Sequence, residues 1–229
     1  MSTRICIVGA KGRMGQAILQ TANDLKIEID CLVIREGSDF DEKLFLEYED
    51  KVSYEISPTS DVILDFSTYE ASKENVKMAY EYRIPILIGT TGKHTQHDYA
   101  LYAQEIPILW APNTSLAWNI IYQAVAKIND ISDFQFKLGE IHQKKKKDKP
   151  SGTLKDLNTI LNTSQVWSLR AGDHMSLHQV LGVNQKEVIR FEHQVLDRSV
   201  FADDAIKEAL WLTKQQPGLY SVTDFISEY

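Results

Sequence analysis

A glycine pattern near the start of the chain constrains the fold most. A short apolar run at residues 4–8 is followed by Gly9, Gly12 and Gly15, and then by apolar residues at helical spacing. Glycines alone are a weak signal and fit a simple tight turn, but a preceding strand and a following helix form the context that a dinucleotide-binding fingerprint requires. At such a turn the backbone N–H groups can approach a pyrophosphate closely. The pattern therefore predicts a strand, a phosphate-binding turn and a helix.

Further apolar runs along the chain predict additional strands, which together form a parallel sheet with intervening helices. Strands are predicted at about residues 27–34, 62–66, 84–88 and 106–109. Ligands of open α/β sheets bind beyond the carboxyl ends of such strands. Phe66, which ends one of these runs, could face that crevice or could equally belong to the core. We expect a Rossmann-type nucleotide-binding domain.

The second informative stretch is the lysine-rich segment 139–153. It follows a strand-like run and ends where apolar residues begin to recur at helical spacing. It combines a titratable pair, His142 and Lys146, with a helix start at residues 151–153, where backbone N–H groups and the helix dipole favour a carboxylate or phosphate. A run of lysines is more often a solvated face or a weak nucleic-acid patch. However, one lysine among several loses its proton more easily, because like charges disfavour its charged form. The segment predicts a loop that carries a proton donor and an anion receptor.

The composition is that of an ordinary globular protein. With 229 residues, 43% hydrophobic and 25% charged, the chain can form one large or two small domains with real cores. The net charge of -7 argues against general binding to nucleic acid or to an anionic membrane, because the summed field repels both. The sequence shows no secretory signal and no apolar run long enough to span a bilayer, so we expect a cytoplasmic protein. Cys6 and Cys31 lie in strand-like runs, and we expect buried thiols with neither a disulfide nor a metal site.

One motif in the lysine-rich segment resembles the signature of the dihydrodipicolinate reductases, also called 4-hydroxy-tetrahydrodipicolinate reductases. The matching residues are Glu140, His142, Lys146, Asp148 and the run Pro-Ser-Gly-Thr at 150–153. The resemblance implies that His142 is the catalytic acid/base and Lys146 the proton donor. It also implies that a substrate carboxylate is held by Ser151, Gly152 and Thr153. Gln143 stands where the family commonly has a second histidine that contacts the substrate, so we include Gln143 among the substrate-binding residues.

Several segments of the predicted sheet are also similar to this family. They are the Gly-Arg-Met at 12–14, the Asp-Phe-Ser-Thr at 65–68, the Gly-Thr-Thr-Gly at 89–92 and the Ala-Pro-Asn-Thr-Ser at 111–115. The family usually has phenylalanine where Thr114 stands, so the packing there is expected to differ. The cofactor ligands implied by the resemblance are Gly9, Ala10, Lys11, Gly12, Arg13, Met14, Arg35, Phe66, Gly89, Thr90, Thr91, Ala111, Pro112, Asn113 and Thr114.

The residues after the second predicted strand bear on the choice of cofactor. A dinucleotide-binding domain commonly carries an acidic residue about 20 residues after the glycines, where it binds the ribose of NAD. This chain has Ile34 and Arg35 there, with Lys11 and Arg13 nearby. An arginine suits the additional phosphate of NADP, so NADPH is expected to be preferred over NADH. Glu36 could partly compensate for the missing acid, which keeps NADH as the alternative.

The predicted architecture is an α/β chain with two domains. Residues 1–116 and 199–229 are expected to form the dinucleotide-binding domain. Residues 117–198 are expected to form an α+β domain with a small mixed sheet, which binds substrate and mediates oligomerisation. By resemblance, four copies pack these sheets into a homotetramer. The segment after Asn162 is shorter than in most relatives, so its contacts with substrate or with other subunits are expected to differ.

By resemblance, the chain is an oxidoreductase that reduces 4-hydroxy-tetrahydrodipicolinate, a small dicarboxylate, to tetrahydrodipicolinate with NADPH or NADH, on the route to lysine and diaminopimelate. Two alternatives stay open. A related two-domain reductase could act on another small acid, because a fold does not fix function. A nucleotide-responsive binding protein could have kept the cofactor site and lost the chemistry, although both His142 and Lys146 are present. We expect no nucleic acid, membrane or metal as a partner.

Overall fold

The computed structural model describes residues 2–37, 47–91, 96–173 and 176–228. The chain divides into two compact units. The first unit comprises Met1–Ser115 and Phe201–Tyr229, and the second unit comprises Leu116–Val200. Gly92, the last residue of the Gly-Thr-Thr-Gly run, lies outside the described residues. Within the described ranges, no helix is both long and apolar enough to cross a bilayer.

Strands and helices alternate through the first part of the chain. The strands are β1 (Arg4–Val8), β2 (Glu28–Val33), β3 (Val52–Ser53), β4 (Val62–Asp65), β5 (Ile86–Ile88), β6 (Pro107–Trp110), β7 (Gln135–His142), β8 (Val166–Arg170), β9 (Ser176–Val183), β10 (Val188–Val195) and β11 (Gly218–Ser221). The α-helices are α1 (Arg13–Asp24), α2 (Tyr69–Tyr82), α3 (Leu116–Ile131), α4 (Gly152–Leu161), α5 (Ser199–Leu212) and α6 (Val222–Ser227).

The first unit contains a seven-stranded sheet among its described residues, in the order β11-β6-β5-β4-β1-β2-β3. All neighbouring strands are parallel. Successive side chains of β1 point to opposite faces, yet Ile5, Cys6 and Ile7 are all fully buried, so both faces of the sheet are covered. Cys6 pairs with Cys31 of β2, and both thiols are buried, as predicted. Read from β3 to β6, the strand order is 3-2-1-4-5-6. This is the order of a Rossmann fold, which confirms the predicted fold class.

The second unit contains a four-stranded sheet among its described residues, in the order β10-β9-β7-β8. The sheet is mixed, as predicted, because β7 pairs in parallel with β8 and antiparallel with β9. Residues of α3 and α4 contribute to the core on one face of this sheet. The core residues are Trp118, Val125, Phe136, Leu138, Leu154, Leu157 and Val180. The register places four exposed apolar residues on the opposite face, and they are Trp167, Leu169, Val183 and Val188.

Strand β7 is longer than the sequence predicts. The sequence pattern predicts a loop from residue 139, but the strand continues through Glu140 to His142, because both of its neighbours pair with it over that length. The prediction of a loop at residues 139–142 is therefore wrong, and the catalytic histidine candidate lies on a strand. The other predicted strands and helices named above agree with the structure except for small differences at their ends.

Candidate active site

The centre of the candidate active site is the last part of β7. Side chains two residues apart on a strand share a face, so Glu140 and His142 lie on the same face as Phe136 and Leu138. Glu140 is fully buried, and His142 is 7% exposed. The distance from His142 Nε2 to Glu140 Oε2 is 3.5 Å. A carboxylate and an imidazole therefore lie side by side at the inner surface of the sheet.

The two neighbouring strands add partners to this pair. His178 on β9 lies opposite Glu140, and Arg170 on β8 lies opposite His142. A terminal guanidinium nitrogen of Arg170 donates to Glu140 Oε1 at 2.7 Å, and His178 Nε2 lies 3.9 Å from Glu140 Oε2. The rings of His142 and His178 meet edge to face, with centroids 5.1 Å apart. Glu140 is thus surrounded by three basic side chains.

Ser151 connects the carboxylate to helix α4. Its backbone N–H contacts both oxygens of Glu140, at 3.0 and 3.1 Å, and its hydroxyl donates to Oε2. The same hydroxyl accepts a hydrogen bond from Leu154 N–H at 3.3 Å, so Ser151 is the N-cap of α4. The start of α4 is therefore held directly beside the Glu140–His142 pair.

The surroundings keep Glu140 charged and His178 neutral. Burial raises the pKa of Glu140, but the contacts with His142, Ser151 and Arg170 outweigh burial and hold this pKa well below its usual range. Burial and, to a smaller extent, the proximity of His142 together lower the pKa of His178 to about 3. At neutral pH Glu140 is therefore a carboxylate and His178 is neutral.

Lys146 lies on the loop between β7 and α4. Its ammonium forms an ion pair with Asp148 at 3.0 Å, and its side chain is 30% exposed. The other three lysines of the run are exposed. Arg170 also contacts this loop, because its Nε donates to the carbonyl of Lys146 at 3.2 Å and a terminal nitrogen donates to the carbonyl of Asp148. The protein thus holds Lys146 more closely than its neighbours.

The first turn of α4 borders open space. Gly152 is the first helical residue and is exposed, and a Cβ placed on it would meet no atom within 4 Å. The amides and the dipole at a helix N-terminus favour a carboxylate in such open space. Ser151 directs its N–H and its hydroxyl inward to Glu140, which leaves Gly152 and the half-buried Thr153 nearer to a ligand. Gln143 is half-buried and follows β7 directly.

Three residues of the site have the composition of a metal-ligand set. One ligand atom each from Glu140, His142 and His178 lies within 4.8 Å of the others. However, the carboxylate already accepts from the guanidinium of Arg170 and from Ser151, and an adjacent guanidinium repels a divalent cation. The donor set therefore suits an acid–base network better than a metal ion.

The predicted cofactor residues gather at one edge of the parallel sheet, after the carboxyl ends of β1, β2, β4, β5 and β6. Gly9 has a φ of 77°, which favours glycine, and a Cβ there would approach the carbonyl oxygen of Phe66 to 2.7 Å. The N–H groups of Gly9 and Ala10 both donate to the carbonyl of Val33 at 3.1 Å. A tight turn thus leads from β1 to the start of α1, where residues 11–14 are exposed or half-buried. This arrangement fits a dinucleotide pyrophosphate.

Phe66 and Gly89 pack against each other at the ends of β4 and β5. A Cβ on Gly89 would lie 2.1 Å from the Phe66 ring, so the ring requires glycine at this position. Thr90 is buried, and its hydroxyl donates to the carbonyl of Asp65 at 3.2 Å. Thr91 is exposed. Phe66 therefore has a packing role at the strand end, whatever else it contacts.

The segment after β6 is partly buried. Ala111 and Thr114 are buried, and residues 112–113 are half-buried. The Thr114 hydroxyl donates to the carbonyl of Phe201 at 2.8 Å, a hydrogen bond that phenylalanine could not make. Arg35, which follows β2, is exposed. Its side chain is accessible to a ligand at this edge of the sheet.

The sequence alone indicates no role for Arg170 or His178, and none for Glu140 beyond its place in the motif. A signal existed for two of them, because Glu140 and His178 occupy inward positions of alternating strands, next to Leu138 and Val180, where apolar side chains are usual. Arg170 gives no such signal, because an arginine at the end of a partly exposed strand is ordinary. Its role depends on the pairing of β8 with β7, which the sequence does not reveal.

The chain matches two family models that follow each other along its length. Residues 3–114 match the family described as "Dihydrodipicolinate reductase, N-terminus", and residues 115–226 match "Dihydrodipicolinate reductase, C-terminus". The 4-hydroxy-tetrahydrodipicolinate reductase of Bdellovibrio bacteriovorus is 33% identical over 232 residues, which cover 97% of this chain and 96% of that protein. The protein of the same name from Zymomonas mobilis is 34% identical over 257 residues, with 98% and 97% covered.

Solved structures share the fold. The dipicolinate-bound dihydrodipicolinate reductase from Paenisporosarcina sp. TG-14 has a TM-score of 0.77 at 16% identity, and the match covers 98% of this chain and 99% of that one. A hyperthermophilic archaeal homoserine dehydrogenase in complex with NADPH has a TM-score of 0.56 at 12% identity, with 96% and 100% covered. Because the two family models together span nearly its whole length, the chain belongs to the dihydrodipicolinate reductase family.

Proposed function

We infer that this chain catalyses the NAD(P)H-dependent reduction of 4-hydroxy-tetrahydrodipicolinate to tetrahydrodipicolinate, a step of lysine and diaminopimelate biosynthesis. The observation that carries the inference is the proximity, within one unit, of the Glu140–His142 pair, the loop that carries Lys146 and the open helix start at Gly152. The relatives are named for this activity, and the Paenisporosarcina protein was solved with dipicolinate bound. These residues suit a dicarboxylic imine that must gain a proton during reduction.

The positions of the residues suggest their roles. The substrate loses its 4-hydroxyl group as water to give a conjugated imine, and bound NAD(P)H would supply the hydride that reduces this imine. Lys146 donates a proton to the substrate carbon as negative charge develops there, and His142 assists as an acid/base. Glu140 orients the imidazole and balances positive charge on it. The substrate carboxylate is held at the start of α4 by Gly152 and Thr153, with Gln143 as a further substrate contact. Ser151, expected from the motif to bind substrate, is engaged by Glu140 and acts by holding this helix start in place.

The test of this function is the oxidation of NADPH and NADH, followed by the loss of reduced-nicotinamide absorbance. The imine is produced in the same mixture by enzymatic condensation of pyruvate with aspartate semialdehyde. We expect oxidation only when both condensation substrates are present. No oxidation with either cofactor would refute the proposal. Oxidation with a different cyclic imino acid, but not with this one, would identify a related reductase instead.

The proposal includes a preference for NADPH. The exposed Arg35 follows Ile34, where an acidic residue would bind the ribose of NAD, and a guanidinium matches the geometry of a phosphate. Arg35→Ala should therefore weaken NADPH binding more than NADH binding, as measured by fluorescence titration of each nucleotide. Tighter binding of NADH than of NADPH to the unmodified protein would contradict the preference.

A cytoplasmic homotetramer is part of the same proposal. The exposed apolar residues on the outer face of the second sheet, Leu169 and Val188 among them, support an assembly surface, because an apolar sheet face is normally covered. Light scattering at micromolar protein should give the mass of four chains. The double variant Leu169→Lys and Val188→Lys should reduce that mass. A monomer in the unmodified protein would contradict the assembly.

A further inference from the structure

Arg170 makes contacts that the roles proposed above do not explain. One terminal nitrogen donates both to Glu140 Oε1, at 2.7 Å, and to the carbonyl of Asp148, while Nε donates to the carbonyl of Lys146 at 3.2 Å. The other terminal nitrogen donates to the carbonyl of Leu169 at 3.1 Å. The side chain is 13% exposed. All three guanidinium nitrogens are therefore engaged by the protein itself.

Glu140 is engaged in the same way. One carboxyl oxygen accepts from Arg170 and the other from the Ser151 hydroxyl, and the Ser151 N–H contacts both. The side chain has no exposed surface, so a substrate cannot touch it. A buried carboxylate in these surroundings acts on the reaction only through the groups that it holds.

We propose that Arg170 and Glu140 form a positioning pair for the catalytic segment 142–151. The proposal rests on the roles inferred for His142 and Lys146. The carboxylate contacts both ends of the segment, because it lies 3.5 Å from His142 Nε2 at the end of β7 and accepts hydrogen bonds from Ser151 at the start of α4. The guanidinium fixes the loop between these ends through two of its carbonyls. One ion pair thus sets the distance between the acid/base, the proton donor and the anion site.

The need for such a pair follows from the charge of the segment. Lys144 to Lys147 are consecutive, and like charges that are close together favour an expanded loop. A guanidinium presents several N–H groups in a rigid plane, so it can reach a carboxylate and two carbonyls at once. The ammonium of a lysine has the same charge but cannot donate to all three acceptors in this planar arrangement. Arg170→Lys therefore separates geometry from charge.

The main test is steady-state kinetics of Arg170→Lys. Displacement of catalytic groups by about 1 Å can cost on the order of 10²-fold in rate, so kcat should fall by roughly 10- to 100-fold. KM for NADPH should stay unchanged, because the predicted cofactor residues lie in the first unit. The matched control is Arg4→Lys, which alters an arginine that contacts Asp61 through Nε and a terminal nitrogen, at 3.3 and 3.2 Å, in the first unit. It should leave kcat unchanged.

Two further measurements separate positioning from general destabilisation. Added guanidinium ion at millimolar concentration should restore part of the kcat of Arg170→Ala, and it should not improve Lys146→Ala. Glu140→Gln should lower kcat as Arg170→Lys does, and the double variant should lose little more than either single variant, because paired residues give non-additive effects. Additive losses of kcat in the double variant, or no rescue of Arg170→Ala by guanidinium, would overturn the proposed role of the pair.

A structural measurement distinguishes failure of this proposal from failure of the proposed function. Hydrogen–deuterium exchange of residues 143–151 should become faster in Arg170→Lys, whereas exchange in β1 should not change. If the unmodified protein reduces no imine but this exchange pattern holds, the function is wrong and the pair stands. If the unmodified protein is active and Arg170→Lys changes neither kcat nor exchange, the pair is wrong and the function stands.

Discussion

The two units contain buried glutamates in opposite surroundings. Glu140 in the second unit and Glu208 in the first unit are both fully buried. Glu140 accepts from Ser151 and pairs with Arg170, whereas neither carboxyl oxygen of Glu208 has a hydrogen-bond partner among the described residues. Burial raises the pKa of Glu208 well above its usual range, and the negative charge of Asp204 adds to this. The surroundings of the same side chain at the same burial thus favour its charged form in one unit and its neutral form in the other.

This difference shows that partners, rather than burial, decide the charge of an interior carboxyl group. It also predicts opposite responses to pH. The pKa of Glu140 is lowered on folding, so its contribution to stability is present above its unfolded pKa and is lost as the pH falls through the folded pKa. The pKa of Glu208 is raised on folding, so its contribution is present below its unfolded pKa and is lost as the pH rises towards the folded pKa.

The largest expected effect is on kcat and concerns Lys146, the proposed proton donor on the loop beside Glu140. Positioned acid catalysis is worth about 10²- to 10⁴-fold, so Lys146→Ala should lower kcat by that order while NADPH binding survives. The measurements are kcat for the imine and a fluorescence titration with NADPH. Loss of NADPH binding in this variant would mean that the lysine serves the cofactor rather than proton transfer.

The other lysines of the run provide the control for this variant. Lys144, Lys145 and Lys147 are exposed, whereas Lys146 is partly buried and its carbonyl binds Arg170. Their single alanine variants should be nearly silent in kcat and KM. Equal losses at all four positions would indicate a diffuse positive patch that attracts a dicarboxylate, and the proton donor would then be misassigned.

Glu140→Gln is expected to have the largest effect on stability. Removal of one partner of a buried ion pair costs about 3–5 kcal/mol, because the remaining charge is left without compensation. Urea unfolding at pH 7 should give a loss of free energy of unfolding of that order. The loss should shrink as the pH falls towards the lowered pKa of Glu140. A loss below about 1 kcal/mol would resemble an exposed ion pair and would contradict the buried network.

The sequence predicts the first unit better than the second. Its glycine turn is a local pattern, because Gly9, Gly12 and the strand before them are adjacent in the chain, and the structure has the turn where the pattern predicts it. The site in the second unit depends on the register between strands. The motif identifies His142, but the contact of Glu140 with Arg170 joins residues that are distant in sequence and meet only through β7 and β8.

Glu208→Gln should stabilise the protein, in contrast to Glu140→Gln. The substitution removes the need to keep a carboxyl group protonated in the folded state, which costs about 1.4 kcal/mol for each pH unit between the unfolded and the folded pKa. The gain in free energy of unfolding should therefore be larger at pH 8 than at pH 5, as measured by urea unfolding at both values. Leu210→Ala, which changes no charge and lies two residues from Glu208, serves as the control. Its effect on the free energy of unfolding should be the same at both pH values. A gain that is equal at both pH values would mean that Glu208 is ionised in the folded protein.

The smallest expected effect distinguishes residues that bind the substrate carboxylate at the start of α4 from residues that hold this helix start beside Glu140. A Cβ on Gly152 would enter the open space at the start of α4, so Gly152→Ala should leave the melting temperature unchanged while the methyl group occupies part of the space for the substrate carboxylate. KM for the imine should rise by roughly tenfold, which corresponds to about 1.4 kcal/mol of lost binding, with little change in kcat. Lys155→Ala, an exposed change one turn further along α4, should alter neither quantity. An unchanged KM in Gly152→Ala would move the carboxylate away from this helix start, whereas a lower melting temperature would show that the residue belongs to the framework around Glu140.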